Sequence, residues 1–210
     1  MSGKLTVVSH PLVQHKLSYL RDQETPTVHF RKLANEVTLL LTYEATKDLP
    51  TEPVEIETPL EQMVAERISG KKVAVCPVLR AGLGMLDGVL SLVSSARVGF
   101  LGMYRDEETL QPVEYYVKLP GDLEQRDAIV LDPMLATGNS SVAAIATVKK
   151  AGARSVMLVC LVSAPEGVEH VHAEHPDVHI VTAAVDRGLD ERGFIVPGLG
   201  DAGDRLYGTR

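Results

Sequence analysis

Between residues 72 and 185 the chain repeats one pattern: short runs that are apolar at nearly every position, alternating with stretches of helical character. Strands are predicted over 72–79, 97–104, 127–131, 155–163 and 178–185, and helices over 81–93 and 139–151. A strand with one face in water alternates apolar and polar residues. Strands that are apolar throughout are covered on both faces, which requires a mainly parallel sheet between helical layers. The fold class is therefore α/β. Upstream, Phe30, Leu33, Ala34, Val37, Leu40 and Leu41 form a helical stripe after Pro26-Thr27, and Leu60, Met63, Val64 and Ile68 predict a second helix closed by Gly70. With 210 residues and 45% hydrophobic content, the chain reads as a single domain over 1–210, with a core at about 70–185 and both ends as appendages.

Charge narrows the partners. A formal net charge of -7 and no Lys/Arg block argue against a nucleic-acid or anionic-membrane binder. An anionic ligand would have to be held by a few local cations. No run approaches the roughly 18 apolar residues of a membrane span, and a basic start with an apolar signal core is absent, so a cytoplasmic protein is expected. Cys76 and Cys160 sit inside apolar runs and read as buried free thiols.

Two segments depart from the repeating pattern. Arg105 to Pro112 is polar and is followed by the β-prone Val113-Glu114-Tyr115-Tyr116-Val117, which predicts a long hairpin or flap. From Asp186 onward the chain is rich in Gly and Asp, yet Phe194, Ile195, Val196, Leu199, Leu206 and Tyr207 give it apolar anchors. An ordered irregular segment is expected.

Two turns carry the chemistry. The strand over 127–131 ends in Asp132, then Pro133, Met134, Leu135, Ala136, Thr137, Gly138, Asn139 and Ser140 lead into a helix. Such a turn can aim N–H groups and hydroxyls at one phosphate, although Ser140 as a plain helix cap accounts for the same residues. The other turn, Arg80-Ala81-Gly82-Leu83-Gly84, follows the strand over 72–79. Its glycines serve either close ligand approach or tight helix packing. Gly82, Gly84 and Gly88 only approximate a dinucleotide fingerprint, so a nicotinamide-dependent dehydrogenase is disfavoured. Both turns fall at carboxyl ends of strands in one sheet, where ligands of open α/β folds bind. Arg105 adds a guanidinium at the base of the flap. The histidine run 170–179 is interrupted by Pro176 and matches no standard metal spacing, so its imidazoles read as surface groups.

Asp132 to Gly138 resembles the phosphoribosyl-diphosphate (PRPP) motif of the type I phosphoribosyltransferases, in the form with Pro after the Asp that characterises their uracil branch. His10-Pro11-Leu12-Val13, 41–46, 79–85, 102–105, 164–167 and 197–205 resemble the same family in the same order. The resemblance implies the type I phosphoribosyltransferase fold with a β-arm or flap and a C-terminal hood. It also implies transfer of a phosphoribosyl group from PRPP to uracil, giving UMP and diphosphate, with Mg²⁺ bound through PRPP. By position, Asp132, Arg105 and Asp201 would be catalytic, and PRPP would be held by Arg80, Arg105, 132–140 and Asp201. Uracil would be held by Ile195, Gly200, Asp201 and Ala202. A GTP effector and a homo-oligomer are implied too. The chain departs from the family at Asn139, where Gly is usual; Asn tolerates left-handed backbone angles, so the loop is expected to survive. The alternative is a regulatory nucleotide or RNA binder on the same fold, which should carry a basic face.

Overall fold

The computed structural model describes residues 3–105 and 112–209. In chain order the elements are β1 (Leu5–Val7), α1 (Pro11–Arg21), α2 (Thr27–Ala45), β2 (Thr51–Glu57), β3 (Gln62–Ile68), β4 (Ala74–Leu79), α3 (Leu83–Leu92), β5 (Arg97–Val98), β6 (Phe100–Arg105) and β7 (Pro112–Lys118). They continue with β8 (Asp127–Leu131), β9 (Met134–Leu135), α4 (Asn139–Lys150), β10 (Ser155–Cys160), β11 (Val162–Ser163), α5 (Pro165–Glu174), β12 (His179–Thr182), β13 (Gly188–Leu189), β14 (Ile195–Val196) and α6 (Ala202–Tyr207).

The main sheet has the order β1-β12-β10-β8-β4-β6-β7, with β5 also pairing β4. All of its pairings are parallel except β6 with β7. Its central strands bury both faces, as their composition requires. Val75, Ile129, Leu131 and Val159 join Phe30, Val37 and Leu41 of α2, Met85 and Val89 of α3, and Leu199 and Leu206 of the tail in one apolar cluster. Ala74, Cys76, Val130, Leu158 and Cys160 face the other way onto Ala144, Ile145 and Val148 of α4 and Val168 and Val171 of α5. Each strand thus contributes alternate residues to two cores. Both cysteines are buried free thiols.

The predicted helix over 60–68 is instead the strand β3. It pairs with β2 in an antiparallel hairpin, Ile56 opposite Met63 and Val54 opposite Ala65. Thr58 decides the matter: its N–H donates to Glu61 O, and its hydroxyl accepts from the Leu60 and Glu61 N–H groups. That closes a turn where a helix start was expected. The alternation in Val54-Glu55-Ile56-Glu57 was the missed signal. The flap reading holds for its arms, since β6 and β7 pair antiparallel, while 106–111 lies outside the described residues.

The tail is ordered and doubly anchored. Arg21 donates to both carboxylate oxygens of Asp186, at 2.7 and 2.6 Å, and to Gly198 O. Arg205 donates to the Leu20, Leu199 and Asp22 carbonyls and stacks over the Phe30 ring at 4.3 Å. These contacts bring α6 back over the β4–α3 turn, where Tyr207 Oη donates to Arg80 O at 2.9 Å and Leu206 packs on Gly84. Among the described residues no helix is long and apolar enough to cross a membrane.

Candidate active site

β4 and β8 are adjacent and parallel, with Pro77 opposite Leu131. From β4 the chain crosses through α3 to β6 on one side; from β8 it crosses through α4 to β10 on the other. This reversal opens a crevice beyond the carboxyl ends of β4 and β8. Arg80 leaves β4 and Asp132 leaves β8 into it.

A cleft of about 260 Å³ fills the crevice, lined among others by Arg80, Met103, Asp132, Thr137, Gly138, Asn139, Ser140 and Ser141. Gly138 takes φ +84° as the residue capping α4, and no side chain caps that helix. Ser140 is therefore not the cap; it lies within the first turn. The first-turn N–H groups, the Thr137 and Ser140 hydroxyls and the helix dipole are the donor set with which a helix start can cradle an anion. Asn139 opens α4 in helical conformation, so the left-handed position is Gly138, and the expected need for Asn to adopt such angles does not arise. The Leu79–Arg80 and Val196–Pro197 peptides are cis.

Asp132 is half-buried in the cleft wall. Ser141 Oγ donates to its Oδ2 at 2.9 Å. Desolvation by the wall pushes the carboxyl up to about 6, against the Ser141 and Met134 hydrogen bonds, which pull it down. It remains ionised at neutral pH, partly desolvated by the wall.

A second cleft, about 300 Å³, adjoins the first and shares Ala81, Asp132, Met134, Ala136 and Gly193 with it. Its other walls come from Pro133, Arg192, Phe194 and the start of α6 at Gly200, Asp201, Ala202 and Gly203. The far wall is a hairpin tip: Asp190 N–H donates to Phe194 O, and the Asp190 carboxylate accepts from the Arg192 and Phe194 N–H groups. Arg192 stacks on the Phe194 ring at 5.2 Å. Sequence reasoning missed this wall. Asp190-Glu191-Arg192-Gly193, with Gly193 at φ +80°, is a readable hairpin turn, but nothing local says which cleft it faces.

The structure brings Arg80, Asp132, Pro133, Met134, Ala136 to Ser140, Gly200, Asp201 and Ala202 to the two clefts. Leu135 is fully buried and Ile195 is 4% exposed; their side chains belong to the cores behind the walls. Asp201 spends one oxygen on the Asp204 N–H at 2.9 Å as the cap of α6. Arg105 ends β6 beside the crevice, with its side chain outside the described part. The glycines of the β4–α3 region serve close packing: a Cβ on Gly82 would meet Leu131 O at 2.3 Å, and one on Gly88 would meet Asn35 O of α2 at 2.4 Å. Among the described residues no group of three or more His, Cys, Asp or Glu could hold a metal ion.

A uracil phosphoribosyltransferase of Streptococcus mutans is 60% identical over 99% of this chain and 100% of its own length, and one of Geobacillus kaustophilus is 59% identical over the same shares. A solved structure of an Aquifex aeolicus protein superposes with a TM-score of 0.93 at 39% identity, covering 98% of both chains. An adenine phosphoribosyltransferase from Thermoanaerobacter pseudethanolicus, 13% identical with a TM-score of 0.50 over 77% of this chain and 85% of its own, shares the fold alone. Residues 7–209 match the family described as uracil phosphoribosyltransferase, and the chain belongs to that family.

Proposed function

We propose that this chain transfers the phosphoribosyl group of PRPP to N1 of uracil, releasing diphosphate and UMP. The observation that carries the reading is the junction at Asp132, where an anion cradle and a compact, largely apolar cleft share one carboxylate. The α4 cradle suits the 5′-phosphate, and the second cleft suits a small planar base offered mainly backbone polar groups. Asp132 lies between them, where the ribose would sit. Breaking the C1′ to diphosphate bond builds positive charge on the sugar and negative charge on the leaving group. A carboxylate partly desolvated by the cleft wall stabilises the first, and the Arg80 guanidinium faces the second. Following diphosphate release with PRPP, Mg²⁺ and each of uracil, orotate, hypoxanthine and adenine tests the reading. Release with uracil alone is expected; release with a purine and none with uracil would overturn it.

Mg²⁺ fits in one manner. Asp132 and Asp201 are the carboxylates lining the clefts, too few for an all-protein cage but suited to a hydrated ion that also rests on substrate oxygens, where it would neutralise the diphosphate. The proposal includes a homo-oligomer. Its support is the β2–β3 hairpin, a separate two-stranded sheet that exposes Leu60, Met63 and Val64. A GTP effector rests on the family resemblance alone, and a cytoplasmic place on the need to retain charged phosphosugars.

Asn139 supplies a smaller prediction. As a helical first-turn residue it needs nothing that Gly would provide, and Gly there costs the helix under about 1 kcal/mol. Asn139→Gly is expected to change the steady-state KM for PRPP by less than about threefold. A tenfold improvement would show that the amide obstructs the cradle.

A further inference from the structure

The phosphate cradle leans on α5. Leu135 O accepts from Ala164 N at 2.8 Å at the start of that helix. Ala136 O lies so close to Gly167 that a Cβ there would meet it at 2.4 Å. Thr137 O pairs with Nδ1 of His170 at 2.9 Å. Three successive carbonyls thus turn toward α5. In a trans peptide the N–H points opposite to the C=O, so the N–H groups of Ala136, Thr137 and Gly138 are turned the other way, toward the cleft these residues line. The first two carbonyls are held by backbone and by the absence of a side chain at Gly167. The third depends on one imidazole.

From this geometry we infer that His170 is a positioning residue for the phosphate cradle: its Nδ1–H holds the Thr137 carbonyl and thereby aims the Gly138 N–H at the bound phosphate. A carbonyl only accepts, so Nδ1 carries the hydrogen. The imidazole also closes the space behind the left-handed turn, since its Cβ and Nδ1 would stand 3.3 Å from a Cβ on Gly138. Without that donor the 137–138 peptide is free to rotate, and the cradle loses one aimed N–H at the step where phosphate binds. The walls that the base cleft does not share with the cradle, at Arg192, Phe194 and 200–203, have no contact with the 137–138 peptide among the lining groups and keep their arrangement. The inference rests on the functional reading above for the identity of the phosphate, but the cradle can be tested without turnover.

The experiment measures ribose 5-phosphate affinity by calorimetry, together with KM for PRPP, KM for uracil and kcat. His170→Ala should weaken ribose 5-phosphate and raise KM for PRPP about tenfold, the size of one lost hydrogen bond to a charged group. KM for uracil and kcat at saturation should stay within about twofold. His170→Asn places an amide donor near the Nδ1 position and should restore both values to within about threefold. His170→Leu matches Asn in shape without the donor and should behave as Ala does, which keeps the comparison decisive should the Ala variant unfold. Unchanged phosphate affinity in Leu and Ala, or an Asn variant as weak as Leu, would overturn the inference. A purine-specific enzyme that still shows the Asn-over-Leu difference would sink the functional reading and leave His170 in its role.

Discussion

Asp132→Asn is expected to lower kcat/KM by roughly 10²–10³-fold, the range for removing one preorganised electrostatic partner of a transition state, while making the folded protein more stable at neutral pH. The two effects share a cause. The cleft wall raises this carboxyl from 3.8 to about 6, so above pH 6 the native state holds a charge that the wall disfavours. A raised carboxyl means that between about pH 4 and 6 the native state binds a proton that the unfolded state has released. Its contribution to stability is therefore fully present below pH 4 and is lost as pH rises through about 6. The neutral amide removes that loss. At pH 8 the variant should gain about 1–3 kcal/mol, a Tm rise of roughly 2–12 °C for a chain of this size, and near pH 4 the gain should vanish. In the wild-type enzyme, kcat/KM should fall about tenfold per pH unit below pH 6. Calorimetric scans at pH 4 and 8 with an activity profile check this. A variant that is no more stable at pH 8, or that keeps its activity, would remove Asp132 from the role assigned to it.

Gly82→Ala is expected to cost about 1–3 kcal/mol, the range for overpacking, and to lower kcat/KM by roughly 10²-fold. Gly82 has an ordinary φ of -60°, so conformational freedom is not what the position needs. A Cβ there would stand 2.3 Å from Leu131 O and 2.7 Å from Val78 N and O. Those are backbone atoms of β8 and β4, the two strands whose ends form the crevice, and neither can yield alone. The Cβ must drive the strand ends apart, moving Arg80 relative to Asp132. Gly121→Ala is the matched control, since a Cβ there meets nothing within 4 Å, and it should change neither Tm nor activity appreciably. Equal behaviour of the two variants would show that the close approach at Gly82 has no bearing on the site.

Much of this candidate site is legible in the sequence. An apolar strand ending in an acid, then small residues opening a helix, is local information, and Asp132 and Thr137 to Ser140 were found by it. Arg80 was found in the same way. What escaped depends on chain return. Arg192 and Phe194 reach the second cleft because the hairpin that carries them is held at its foot by the Arg21–Asp186 tether, a contact spanning 165 residues. Ile195 and Leu135 lie inside segments that adjoin the clefts, but their side chains point into the cores, which a motif read residue by residue does not distinguish. The helix predicted over 60–68 failed because Leu60, Met63, Val64 and Ile68 fit a helical stripe by spacing alone, while Thr58 and the alternation of β2 specify a hairpin. In the sequence His170 reads, with its neighbouring histidines, as a surface group, since a metal is the only role that spacing can test. Its contact with Thr137 O arises from the docking of α5 on the cradle.

If the two clefts form one site joined at Asp132, an amide NMR titration with UMP will show both responding to one ligand. Bound product should shift Gly138, Asn139 and Ser140 together with Gly193, Gly200 and Ala202, all with one dissociation constant, while hairpin β2–β3 stays unmoved. Shifts confined to one cleft, or centred away from both, would contradict it.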